Sequence, residues 1–279
     1  MNADSVLDVL YIVSALYTTV CVFVFCFGAI WGSFLNVLLF RFNTGRGQGG
    51  RSACMRCGHT LTLLDLFPIF SFLFLRGKCR HCGTRISFQY PLVELAAALL
   101  SLGVFFLYPA PLEYVLHFTL WLTILFIVVY DLRHTIIPWS ASVVLMVLSL
   151  VSILASSLSF SLLFHPSLFL NFSSLLWALV AGPLLALPLF LLSFVSGGRW
   201  MGWGDWPFEL SLGWLLGLSA GTTALFLAVW SGAAVGLVLM TLSKRVTMRS
   251  EIPFAPFLAL GALIVFFFHV NFFTTQLFF

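Results

Sequence analysis

Nine acidic residues stand in a chain of 279, few enough for each to be weighed by its neighbours. Two aspartates sit in settings that suit chemistry. Asp131 lies in Tyr130-Asp131-Leu132-Arg133-His134-Thr135-Ile136-Ile137-Pro138, and Asp205 closes Gly202-Trp203-Gly204-Asp205. Two carboxylates at one level on different helices can hydrolyse an amide. One, ionised, activates a water, and the other, protonated, donates to the carbonyl oxygen. Glycines at 202 and 204 let backbone or substrate approach closely, and Pro138 suits the first turn of a following helix. An aspartate at a helix end is also a common cap or a solvated residue, so these residues alone leave the structural reading open.

Four of the six cysteines form a second pattern. Cys54-Met55-Arg56-Cys57 is followed, after 21 residues, by Cys79-Arg80-His81-Cys82. Two CxxC knuckles at this separation predict a zinc site. Four thiolates complete a tetrahedral shell with no open position, so the zinc is expected to be structural. Nearby arginines favour thiolate over thiol. His59 and His81 read as surface neighbours of the site. Cys21 and Cys26 read as small buried residues of the first helix.

The elements that must carry these groups follow from composition. The chain is 61% hydrophobic and 8% charged, with a mean hydropathy of +1.11, whereas soluble domains carry roughly 25% charged residues. Lipid is therefore the solvent. Runs of about 20 apolar residues span a bilayer as helices. They predict an all-α polytopic membrane protein with about eight crossings, near 9–40, 91–108, 113–131, 138–160, 172–195, 206–219, 221–242 and 253–275. The chain divides into a first transmembrane helix (1–40), a zinc-binding loop (41–90) and a transmembrane core (91–279).

The basic residues orient this arrangement. Eight of the 13 lie between Arg41 and Arg85; Arg133 and Arg199 stand alone, and Lys244, Arg245 and Arg249 form the last group. With the 41–90 loop in the cytoplasm of an inner membrane, every basic residue lands inside and both termini lie outside, as the positive-inside rule requires. A single crossing over 206–242 would send the last group outward, so two short crossings are expected there. A reducing cytoplasm disfavours disulfides among the four cysteines. Residues 1–8 carry Asp4 and Asp8 and no basic residue, unlike a signal peptide. The loop's eight basic residues against one acid, Asp65, suit anionic membrane lipid rather than nucleic acid. Asp4, Asp8 and Glu113 are expected to be solvated. Glu94 is expected to partner the basic loop, and Glu209 and Glu251 to snorkel or pair near inner helix ends. Asp131 and Asp205 then share one cytoplasmic depth.

In this order the motifs resemble the bacterial type IV prepilin peptidases, also called leader peptidase/N-methyltransferases, over most of the chain. Gly32-Ser33-Phe34-Leu35-Asn36-Val37 with Arg41 is similar to the family's opening. The paired knuckles follow, with Leu75-Arg76-Gly77-Lys78 and Tyr90-Pro91-Leu92-Val93-Glu94. Asp131 with Ile137-Pro138, the GxGD at 202–205, and Ile252-Pro253-Phe254-Ala255-Pro256-Phe257-Leu258-Ala259 complete the series. The resemblance implies a GxGD-type aspartyl endopeptidase that cuts the basic leader from prepilins or pseudopilins at the cytoplasmic face. It implies Asp131 and Asp205 as the catalytic pair and Cys54, Cys57, Cys79 and Cys82 as zinc ligands. It also implies N-methylation of the new N-terminus with S-adenosylmethionine, although no glycine-rich fingerprint for such a cofactor occurs in the sequence.

Two departures stand out. Trp206-Pro207 replaces the Val-Lys common after the GxGD aspartate, and Phe42-Asn43 replaces the proline common after Arg41. Readings from other classes are a non-catalytic scaffold with a zinc loop and a transporter. The transporter lacks support, since no clear internal repeat is visible and the acids sit at the inner rim.

Overall fold

Apolar runs in lipid must close their own backbone hydrogen bonds, which leaves helix as the local solution. The computed structural model describes residues 3–44, 49–164, 172–242 and 252–273, with side chains for 12–44, 49–156, 175–242 and 252–273. The Lys244–Arg249 group, Glu251, Arg46 and the side chains of Asp4 and Asp8 lie outside the described residues. Eight helices occur among the described residues: α1 (Ala3–Arg41), α2 (Phe70–Phe74), α3 (Gln89–Leu107), α4 (Pro111–His134), α5 (Trp139–Phe164), α6 (Phe172–Ser196), α7 (Asp205–Leu242) and α8 (Ala255–Phe268). Six of them are long and apolar enough to cross a membrane, and α8 is a shorter apolar helix. The protein is an all-α, multi-pass membrane protein. The chain divides into two compact units, Met1–Phe118 and Thr119–Phe279.

In the first unit, α1 packs on α3 through small residues, the usual means of close helix approach in lipid. A Cβ on Gly32 would stand 2.7 Å from Glu94 Cα. Polar groups lock the contact. Asn36 Nδ2 donates to Tyr90 O at 3.1 Å, and Ser101 Oγ donates to Val24 O at 2.8 Å. The GSFLN stretch thus holds α1 against α3.

In the second unit, α7 packs against α5, α6 and α8. A straight helix of 38 residues would run about 57 Å, nearly twice the hydrocarbon thickness. It is instead broken at Gly217, where φ 77 and ψ 177 are non-helical. The chain reverses sharply there, since a Cβ on Gly221 would stand 3.7 Å from Gly213 Cα. The segment is therefore two helical pieces folded back on each other, with the break at Gly217 rather than the turn expected near 220. Pro183 inside α6 cannot donate, which frees the carbonyl four residues earlier. That carbonyl, Leu179 O, accepts from Trp214 Nε1 at 2.8 Å. The last helix is shorter than the expected 253–275. It ends at Phe268, because His269 turns left-handed and the chain folds back to place Phe272 N on Thr223 Oγ1 at 3.1 Å.

Candidate functional site

Asp131 sits in the last turn of α4 and is 4% exposed. The turn is closed by Thr135, whose N–H donates to Asp131 O at 2.7 Å from a left-handed conformation (φ 52). The first free N–H groups of a helix seek acceptors. Ala255, the first residue of α8, donates its backbone N–H to Asp131 Oδ2 at 3.2 Å. The late PFxPF motif therefore holds the first aspartate from its main chain.

Asp205 opens α7, where the amino end of a helix attracts negative charge, and is 6% exposed. Its approach is built by glycine. After α6, Gly197 and Gly198 take positive φ of 60 and 81, and Ser193 Oγ donates to Gly202 O at 3.2 Å. The two glycines of the GxGD then have separate uses. A Cβ on Gly202 would stand 3.0 Å from Asp205 Oδ2, and one on Gly204 would stand 2.5 Å from Ile137 Cβ. The first clears space for the carboxylate. The second lets the start of α7 meet the connection that follows Asp131. Asp131 and Asp205 come near enough for the charge of one to act on the other. Two buried carboxylates brought to one site can hold a water and pass protons in both directions.

Two further residues stand close to Asp205 in the chain. Glu209 does not snorkel: it lies one turn after Asp205, is 2% exposed, and has no hydrogen-bond or ion-pair partner among the described residues. It is not at the helix end but one turn inside α7, four residues on and on the Asp205 side. Trp206 fills the position after the GxGD. Its ring packs edge-on against Phe190 at 5.5 Å and Trp139 at 6.1 Å, and its buried Nε1 has no partner among the described residues. Glu94 meets the loop through the backbone, accepting from Ile69 N at 2.7 Å rather than from a basic side chain.

The four knuckle cysteines meet in the first unit. Their sulfurs all lie within 4.8 Å of one another. Both knuckles use one local plan. Gly58 N donates to Cys54 O at 2.9 Å and Gly83 N to Cys79 O at 3.0 Å, with Gly58 and Gly83 at φ 69 and 68, a conformation glycine adopts without strain. Tetrahedral zinc at about 2.3 Å from each sulfur separates the sulfurs by about 3.8 Å; Cys54 Sγ and Cys82 Sγ are 3.8 Å apart. The donor set and spacing fit such an ion. Backbone N–H groups of Cys57 and Arg56 hold the Cys54 thiol down at about 6, and that of Thr84 lowers Cys82. His59 and His81 lie against each other beside the cluster, their rings tilted by 38° with centres 3.5 Å apart.

The Bacterial Peptidase A24 N-terminal domain family matches residues 26–108. Over 227 residues the chain is 34% identical to the Prepilin leader peptidase/N-methyltransferase of Burkholderia pseudomallei (strain 1026b), covering 80% of this chain and 69% of the relative. The protein of the same name from Bacillus subtilis (strain 168) is 32% identical over 251 residues, covering 87% of this chain and 92% of its own length. That from Aeromonas hydrophila is 30% identical over 265 residues, with 85% and 87% covered. No solved structure matches the chain.

Proposed function

The chain belongs to the prepilin leader peptidase/N-methyltransferase family, and from that premise we propose that it is a membrane aspartyl endopeptidase. It removes the basic leader of type IV prepilins or pseudopilins at the cytoplasmic face of the inner membrane. The observation that carries this reading is the pairing of Asp131 with Asp205, two buried acids brought from the end of α4 and the start of α7.

A water between the carboxylates loses a proton to the ionised one as its oxygen attacks the scissile carbonyl. The protonated one donates to the carbonyl oxygen, giving a neutral tetrahedral diol. Collapse returns a proton to the amide nitrogen, the C–N bond breaks, and the products are the leader's carboxylate and a new N-terminal amine. The Ala255 N–H orients Asp131 throughout. Orientation follows from the charges: the 41–90 loop, Arg133 and Arg199 face inward, which matches a substrate whose basic leader stays in the cytoplasm.

Cys54, Cys57, Cys79 and Cys82 would hold one zinc, which cross-links the two knuckles and stiffens the loop. The N-methylation named for the relatives needs a methyl donor. The loop cavity edged by Arg76, Lys78 and Arg85 does not fit the sulfonium cation of S-adenosylmethionine, since like charges repel.

The test is incubation of the purified chain with a prepilin in detergent, read by mass spectrometry of the product N-terminus. Cleavage at the leader junction is expected, with methylation only when the donor is added. Substrate that binds and stays uncut would leave a scaffold in place of an enzyme.

A further inference from the structure

The loop of the first unit contains a cavity of about 390 Å³. It forms because α2 stops after five residues at Phe74 and the chain then turns at Arg76 and Gly77, both with positive φ (51 and 67). Gly77 N donates to Phe72 O at 2.9 Å, and Ile86 N donates to Gly77 O at 2.7 Å, which draws the 85–88 strand of chain alongside. The bridge between Lys78 and Arg85 sets those two residues side by side.

The lining has two chemistries. Phe72, Ile86 and Phe88 supply an apolar wall, and Arg76, Lys78 and Arg85 supply three cations. No acid lines the cavity. Arg80 is engaged by Asp65 at 2.9 Å, whereas the charged side-chain groups of Arg76, Lys78 and Arg85 have no hydrogen-bond or ion-pair partner among the described residues. Apolar surface continues outward: Phe88 is 73% exposed, Phe74 83% and Leu73 64%. Contiguous exposed apolar surface on this scale marks an interaction site.

Chain continuity fixes the setting. Phe88 directly precedes α3, whose membrane-capable span begins at Gln89. The cavity therefore lies at the start of α3, the end at which this membrane-capable helix leaves the loop. A soluble anion has no use for the exposed phenylalanines, and an uncharged lipid has no use for three unpaired cations. We propose that this cavity binds an anionic phospholipid, with the headgroup phosphate among Arg76, Lys78 and Arg85 and the upper acyl chain against Phe72 and Phe88. Basic side chains at an anionic membrane surface act through charge, and apolar groups beside them insert at the acyl boundary. The proposal rests on the loop's own residues and holds whether or not the chain cleaves a prepilin.

The test uses the full chain in detergent with photoactivatable phosphatidylglycerol, and with phosphatidylcholine carrying the same chains, mapping labelled peptides by mass spectrometry. Phosphatidylglycerol is expected to label residues 72–88 well above phosphatidylcholine. Each basic side chain near such a surface strengthens attraction about fivefold, so Arg76→Gln/Lys78→Gln/Arg85→Gln should label on the order of a hundredfold less. Metal content and prepilin cleavage of the variant report whether it has folded; if it has not, the comparison of the two lipids on the wild type decides. Equal labelling by both lipids, label confined to other segments, or displacement by millimolar inorganic phosphate would each overturn the proposal. So would displacement by a prepilin segment, which would make the cavity a substrate site.

Discussion

The backbone N–H of Ala255 donates to Asp131 Oδ2 at 3.2 Å, joining residues 124 positions apart. It gives the late proline-rich motif a role: it starts α8 where the helix's first free donor meets the first aspartate. The proposed pair thus draws on three helix ends, with α4 and α7 supplying carboxylates and α8 supplying the donor that steadies one of them.

Gly204 is where this arrangement is most easily disturbed. A Cβ there would stand 2.5 Å from Ile137 Cβ, so Gly204→Ala must push the start of α7 from the segment after Asp131. Misplacement on the order of 1 Å can cost about a hundredfold in rate, and a loss of that size in prepilin cleavage is expected at normal membrane levels. Ile137→Gly should restore much of it in the same background, whereas Ile137→Ala, which keeps the Cβ, should not. Unchanged cleavage by Gly204→Ala would show that the approach does not position Asp205.

The cysteine cluster predicts one zinc per chain in protein purified without chelators. Cys79→Ser should lower zinc content and open residues 41–90 to limited proteolysis. Cleavage of the prepilin should fall less than the order of the loop. A protease-resistant loop in metal-free wild-type protein would refute the zinc assignment.

Asp65 gives the loop a defined acid dependence. The Thr62 hydroxyl at 2.7 Å, the Thr62 amide at 3.1 Å and Arg80 at 2.9 Å hold its carboxyl below the ordinary carboxylate range. A lowered folded-state value adds stability above the unfolded value of about 3.9, and that stability is lost as pH falls through the folded value. Protection of residues 62–80 against hydrogen exchange, corrected for the intrinsic pH dependence of amide exchange, should therefore stay constant from neutral pH down to about 5 and fall below about 4. Asp65→Asn should raise exchange at neutral pH and flatten this acid dependence. Arg80→Gln should matter less, because Arg80 is half exposed and its attraction is screened. Parallel profiles for wild type and Asp65→Asn would contradict the assignment.

Much of this was legible in the sequence for reasons that can be named. Metal chemistry constrains ligand type and spacing together, so the knuckles announced themselves. Charge segregation pointed to a division of α7 even though apolarity runs unbroken across it, and the helix is broken within that stretch. The break fell at Gly217 rather than 220 because a backbone reversal leaves no trace in hydropathy. The Ala255 donor was invisible because every residue but proline carries an N–H. Glu209 was misread because nothing in its neighbours tells the first turn of a helix from the second.

The most direct measurement is leader removal by Asp131→Asn and Asp205→Asn, with Glu209→Gln as the buried-acid control, at matched membrane levels. Proton transfer by such groups contributes roughly 10²–10⁴-fold. Each aspartate change is expected to lower cleavage by that order, while Glu209→Gln stays near wild type because no hydrogen bond is lost. Near-normal cleavage by either aspartate variant would contradict the two-carboxylate account.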